Sequence, residues 1–183
     1  MADSPAPFEF LPLGAIIQSF VIGKTNIVQG FPKQSQYISS SNPPYFGETI
    51  GRIANRVKHA KIDSLNSKSY QLAVNNPPNH LHGGDVGWGK KIWSGPKLEG
   101  ISQIEGLEGG LETGGESVSF SYRSVHGEEN YPGTVDANVV YTVGTQRGEN
   151  GKEVRVLGIE YTVQLVEDGN DVQETVVNVT NHS

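Results

Sequence analysis

The chain contains no cysteine. That absence excludes a disulfide framework, a thiolate zinc site and a cysteine nucleophile, while leaving the compartment open. Positive charge is also scarce: 14 Lys and Arg against 20 Asp and Glu leave a formal net charge of -6, with no dense basic run. A surface that tracks phosphates needs a basic stripe to release counterions, so nucleic acid is a poor partner. No apolar run approaches the length of a membrane-spanning helix, and the opening "MADSPAPFEF" has no basic segment ahead of an apolar one. These features predict a soluble, cytoplasmic protein that engages neither nucleic acid nor membrane. Helical signal is equally thin, since no stretch repeats its apolar residues at convincing 3.6-residue spacing.

What the chain does have is turn chemistry and alternation. With 23 Gly and 10 Pro in 183 residues, it suits a strand-dominated domain long enough to bury roughly 70% of the surface its unfolded form exposes. In "TVDANVVYTV", Val135, Ala137, Val139, Tyr141 and Val143 face one way, and Asp136, Asn138, Val140 and Thr142 the other. "ESVSFSYRSV" repeats the pattern through Val118, Phe120 and Tyr122, and "VRVLGIEYTVQLVED" through Ile159, Tyr161, Val163 and Leu165. Turn signals fall between these runs, in "HGEENYPG", "GTQRGENGKE" and "EDGND". The pattern predicts an all-β fold, sandwich or barrel. Residues 98–117, Gly- and Glu-rich with few large side chains, read as a loop insertion or a loosely built hairpin within one domain. The sequons at Asn178 and Asn181 are most simply strand residues, not glycosylation sites.

The densest polar constellation lies in two stretches. "GRIANR" brings Arg52, Asn55 and Arg56 together, and "NHLHGGDVGWGKKIW" sets His80 and His82 just ahead of Gly83 and Gly84. A glycine pair after a histidine lets the backbone turn tightly and approach a ligand closely. His80 and His82, at i and i+2 on a strand, could share a metal, yet His59, His126 and His182 stand in unrelated contexts and no third ligand presents itself. No metal and no cofactor is expected. No Gly-x-Ser-x-Gly elbow presents a serine nucleophile. Trp88 and Trp93 could form an apolar platform for a sugar, although a core role is the simpler reading. Glu48 is expected to pair with an arginine, and Glu128 and Glu129 to be solvated charges before the "NYPG" turn.

Taken in order, "NPPYFGETIGRIANRV", "YQLAVNNPPNHLHGGDVGWGKKIW", "HGEENYPGTVDANVVYTV" and "VVNVTNHS" resemble the aldose 1-epimerase (galactose mutarotase) family. The resemblance runs from about Phe8, through "NIVQGF", to Ser183. It implies an antiparallel β-sandwich of the mutarotase supersandwich type, with a sugar cleft on one face. The implied activity is interconversion of the α and β anomers of free hexoses such as galactose and glucose, without cofactor. By motif, Asn55 and Arg56 would bind sugar hydroxyls, His82 would hydrogen-bond near the ring, His182 would be the general acid and Ser183 would adjoin the substrate. Opening a cyclic hemiacetal takes a proton from the C1 hydroxyl and delivers one to the ring oxygen, so an acid and a base are needed on either side of the anomeric centre. Histidine suits the acid because its ordinary pKa lies near neutrality, although cationic Arg56 nearby favours the neutral imidazole and calls for a compensating anion.

The resemblance places the family's catalytic base, a glutamate, beyond the Asn-His-Ser motif. The expectation is therefore that residues 1–183 form the N-terminal part of one epimerase domain, incomplete as a sandwich and weak or inactive alone. A non-catalytic sugar-binding sandwich is the alternative, and specificity for a phosphorylated hexose would need more basic residues than "GRIANRVKHAK" supplies. Half a sandwich should also leave inner-face residues such as Val139 and Tyr141 uncovered, opening that face to self-association.

Overall fold

The computed structural model describes residues 8–39 and 44–183; Asn42 and Pro43, which begin the first motif, lie outside the described residues. In chain order the early strands are β1 (Phe8–Leu11), β2 (Ile16–Ile22), β3 (Thr25–Asn26), β4 (Thr49–Ile50), β5 (Arg56–Val57), β6 (Lys61–Leu65), β7 (Lys68–Gln71) and β8 (His80–Leu81). The longer ones follow: β9 (Ser94–Ile101), β10 (Thr113–Ser124), β11 (Thr134–Arg147) and β12 (Glu153–Val166), with β13 (Thr180–Asn181) last. Among the described residues one short α-helix, α1 (Gln34–Ser39), interrupts the strands. At six residues it is too short to carry a periodic signal, and it is set by Tyr37, buried, whose hydroxyl accepts from the Phe31 N–H at 3.0 Å.

The alternating runs build an antiparallel sheet in the order β12-β11-β10-β9. Period-two alternation puts Val135, Ala137, Val139 and Tyr141 on one face of β11, and each of them is buried. They pack with Ala15, Ile17, Trp88, Trp93 and Phe120, and Phe10 stacks on Tyr141 with ring centroids 4.5 Å apart. The covering layer is thus β1 and β2 with the tryptophan pair, drawn from the chain itself. Val139 and Tyr141 are both at 0% exposure, which overturns the expectation that they would lie bare. Each such buried side chain contributes on the order of 1.5–3 kcal/mol. Tyr141 also satisfies its hydroxyl by donating to the Ala15 carbonyl at 2.6 Å.

Ile159 departs from the pattern. It pairs with Tyr141 across β11 and β12, yet it is 39% exposed while Leu157, Tyr161, Val163 and Leu165 pack against the core. Across residues 98–117, β9 and β10 form a hairpin, and irregular chain spans 102–112 between them. Every residue of β9 is exposed, Leu98 and Ile101 included. No helix among the described residues is long and apolar enough to cross a membrane.

Two short ladders lie beside this sheet and position the polar residues. β13 pairs with β4, Thr180 opposite Ile50 and Asn181 opposite Thr49. β5 pairs with β8, Arg56 opposite Leu81 and Val57 opposite His80.

Candidate active site

The two ladders bring together residues remote in sequence. The Asn55 N–H donates to Nδ1 of His82 at 3.2 Å, and the His82 N–H donates back to the Asn55 carbonyl at 3.0 Å. This reciprocal pair fastens the "GRIANR" turn to the "HLHGG" turn. Accepting at Nδ1 leaves the proton of a neutral His82 on Nε2, where the ring can donate. Arg56 stands next in the strand, its Nε–H donating to Asn76 Oδ1 at 2.9 Å and its Nη1 to Asn55 Oδ1 at 3.3 Å. Both Asn55 and Arg56 are exposed, with His82 half-buried between them and the core.

His182 arrives from the other ladder. Its N–H donates to the Glu48 carbonyl at 2.9 Å, and its carbonyl accepts from the Gly47 N–H at 3.0 Å. Asn181 adds a side-chain bond from Nδ2 to the Gly47 carbonyl at 2.8 Å, and Ser183 donates to Asn181 Oδ1 at 2.5 Å. Strand pairing therefore ties His182 down. The His182 ring then meets His82 at right angles, centroids 5.2 Å apart with an interplanar angle of 89°. Tyr45 closes the group, 4.9 Å from His82 and 5.7 Å from His182.

Electrostatics favour a neutral His82. Burial pushes its pKa below the ordinary histidine value, and positive charge at His182 and Arg56 pushes the same way. Among the described residues no carboxylate hydrogen-bonds either imidazole. The arrangement can hold a polyhydroxylated ligand by Asn55, Arg56 and His82, and can pass a proton at His182.

Neighbouring residues divide sharply between site and core. Arg52, four residues before Arg56, points inward and is 1% exposed. Its guanidinium donates to the carbonyls of Pro132 and Gly133 at 2.8 Å and of Ser124 at 3.2 Å, and to the hydroxyls of Ser124 and Thr175. It lies 5.5 Å from the Tyr131 ring centroid. Burial lowers its pKa to about 10. His80 is likewise internal, Nδ1 bonded to the Ala73 carbonyl at 2.8 Å and Nε2 to the Tyr131 hydroxyl at 2.7 Å. It shares no ligand position with His82, and no group of three or more His, Cys, Asp or Glu among the described residues is placed to hold a metal. Trp88 and Trp93 are core residues, 2% and 1% exposed.

Three acidic residues take places that sequence reasoning missed. Glu48 is fully buried and pairs with Lys90, not with an arginine. Glu128 is bonded by Tyr122, Ser124 and Lys91; burial works to raise its pKa, but these bonds together hold it below the usual range. Glu129 accepts from the N–H groups of Asp85, Val86 and Gly87 at 3.0, 3.1 and 3.4 Å, clamping the loop after His82. The reading of Glu128 and Glu129 as solvated charges is therefore corrected. Gly84 serves this clamp, since a Cβ there would lie 2.1 Å from the Glu129 carboxylate, while Gly83 lets the turn pack on the neighbouring motif, a Cβ there lying 1.7 Å from the Gly51 carbonyl oxygen. The close approach is to protein groups.

A concavity of about 500 Å³ on the outer face of the sheet, between Ser94, Arg123, Asp136, Asn138 and Gln164, contains neither imidazole. Its Arg123 and Asp136 are already paired at 2.6 Å, so the histidine group is the better candidate for proton chemistry.

Comparison with known proteins bears on the lineage of the chain. The aldose 1-epimerase family model matches residues 6–183. Galactose mutarotase of Sus scrofa is 36% identical over 159 residues, 87% of this chain and 36% of that protein. The bifunctional protein GAL10 of Pachysolen tannophilus is 35% identical over 172 residues, 93% of this chain and 22% of its own length. Among solved structures, galactose 1-epimerase from Lactobacillus acidophilus superposes with a TM-score of 0.69 at 22% identity, covering 96% of this chain and 44% of that one. An aldose epimerase homologue from C. elegans gives 0.65 at 26% identity, covering 95% and 45%. The chain spans little more than a third of the length of the mammalian relative it matches.

Proposed function

This chain belongs to the aldose 1-epimerase family, and from the perpendicular imidazole pair we propose that it acts on the anomeric centre of a free aldohexose, galactose or glucose. The observation that carries the reading is the meeting of His82 and His182 beside exposed Asn55 and Arg56. Asn55 and Arg56 bind sugar hydroxyls through their amide and guanidinium groups. His82, neutral and donating from Nε2, hydrogen-bonds near the ring. His182 delivers a proton to the ring oxygen as the C1 hydroxyl gives its own to solvent water; the ring opens, rotation about the C1–C2 bond turns the carbonyl over, and the reverse transfers, water returning the C1 proton and His182 retaking its own, close the ring as the other anomer. Ser183, beside His182, adjoins the bound sugar.

Acid and base each contribute about 10² to 10⁴ in rate. With no carboxylate bonded to either imidazole among the described residues, His182 has no compensating anion to favour its protonated form, and turnover by this chain alone is weak. The same observation favours a second reading, a sugar-binding sandwich without catalysis. Polarimetry of freshly dissolved α-D-galactose, run beside a galactose titration, separates them. Saturable binding with a small acceleration that His182→Ala removes supports the epimerase; saturable binding with no acceleration supports the binding module. Folded protein that neither binds galactose nor speeds mutarotation overturns both.

A further inference from the structure

Glu48 is the most deeply buried acid of the described chain that the proposed chemistry leaves unused. Its residue is 0% exposed, one carboxylate oxygen contacts the Lys90 ammonium, and the other, Oε2, is buried without a hydrogen-bond partner. Room for it exists because residue 89 is glycine: a Cβ there would lie 2.2 Å from Oε2. Lys90 and Lys91 part company at this point, Lys91 reaching Glu128 and Lys90 turning to Glu48.

A buried ion pair contributes little net stability compared with apolar side chains of the same volume. What this one does is place a cation. The Lys90 ammonium lies 5.4 Å from the Tyr45 ring centroid, within cation–π range. Tyr45 is the ring that touches both His82 and His182. The backbone closes the same loop, since the Glu48 N–H donates to the Tyr45 carbonyl at 3.1 Å and the Glu48 carbonyl accepts from the His182 N–H at 2.9 Å. Glu48 is therefore bonded to the backbone of two of the three ring-bearing residues, Tyr45 and His182, and reaches the Tyr45 ring itself through Lys90.

We propose that Glu48 and Lys90 are positioning residues of the sugar site, fixing the Tyr45 ring so that it holds the His82 and His182 imidazoles at right angles. The inference rests on reading that site as the sugar site, but the placement of the rings can be measured without sugar. The double variant E48Q/K90M removes both charges together and leaves neither stranded; K90R keeps the cation. With histidine selectively labelled, NMR should show the His82 and His182 ring signals of E48Q/K90M displaced beyond their linewidths, those of His59 and His126 unmoved, and galactose binding ~5-fold weaker, the order of one lost cation–π contact. K90R should restore both readouts. A merely structural pair would lower the thermal midpoint and leave the His82 and His182 signals coincident with the parent's, and that result overturns the proposal. If E48Q/K90M does not fold, K90Q, which keeps a neutral donor to Glu48, is read in the same way. A parent chain that fails to bind galactose refutes the sugar-site reading, and the ring signals still decide the positioning role.

Discussion

Arg52 and Arg56 occupy one six-residue motif and do opposite work, so replacing each by methionine separates core from site. In Arg52→Met the carbonyls of Gly133 and Ser124 lose a charged donor, while that of Pro132 keeps the Thr175 hydroxyl at 2.6 Å. Each buried carbonyl left short of a partner costs about 1–3 kcal/mol. Against this stands the relief of no longer burying a cation, whose pKa is lowered from 12.5 to about 10; at about 1.4 kcal/mol per pKa unit that returns on the order of 3 kcal/mol. The balance is a destabilisation of roughly 1 kcal/mol, equivalent to a fall of about 2–4 °C in thermal midpoint for a chain of this size. Arg56 is exposed, so Arg56→Met should change stability by no more than about 0.5 kcal/mol. Its effect should fall on galactose binding, weakened about tenfold as a charge-assisted hydrogen bond is lost. Denaturant unfolding and galactose titration of both variants make the assay. A parent-like stability for Arg52→Met, or a loss of galactose binding in that variant while it remains as stable as the parent, would refute the division.

His82 should titrate by NMR with a midpoint below the usual 6.5. Because the depressed value belongs to the folded state, the unfolded chain takes up the proton first; stability from this residue is complete above about pH 6.5 and declines as pH falls toward the folded midpoint. Thermal unfolding across that range checks it, the pH dependence should shrink in His82→Gln, and a midpoint at or above 6.5 would contradict the assignment. Gly84→Ala should destabilise more than Gly127→Ala. Both glycines have positive φ, but a Cβ at 84 would displace the Glu129 carboxylate from three N–H donors, whereas nothing lies within 4 Å of one at 127. Equal losses in denaturant unfolding would mean that Glu129 does not clamp the loop.

Several features of this protein are local consequences of its sequence. Alternation alone predicts β10, β11 and β12 and the buried face of Val135, Ala137, Val139 and Tyr141, because successive side chains of an extended backbone point to opposite sides whatever the rest of the chain does. The ordered motifs carried the family. Tertiary structure decided the rest. It sent Arg52 inward to carbonyls some 80 residues away and left Arg56 at the surface. It buried His80 against Tyr131 and set His82 against His182. It supplied the layer over Val139 from β1, β2 and the tryptophans, left Ile159 exposed, and paired Glu48 with Lys90 across 42 residues. Period two fixes which way a side chain points from its own strand, but not what it meets there. For a polar group the partner determines the role, and partners so distant in sequence become neighbours only when the short ladders β4 with β13 and β5 with β8 close.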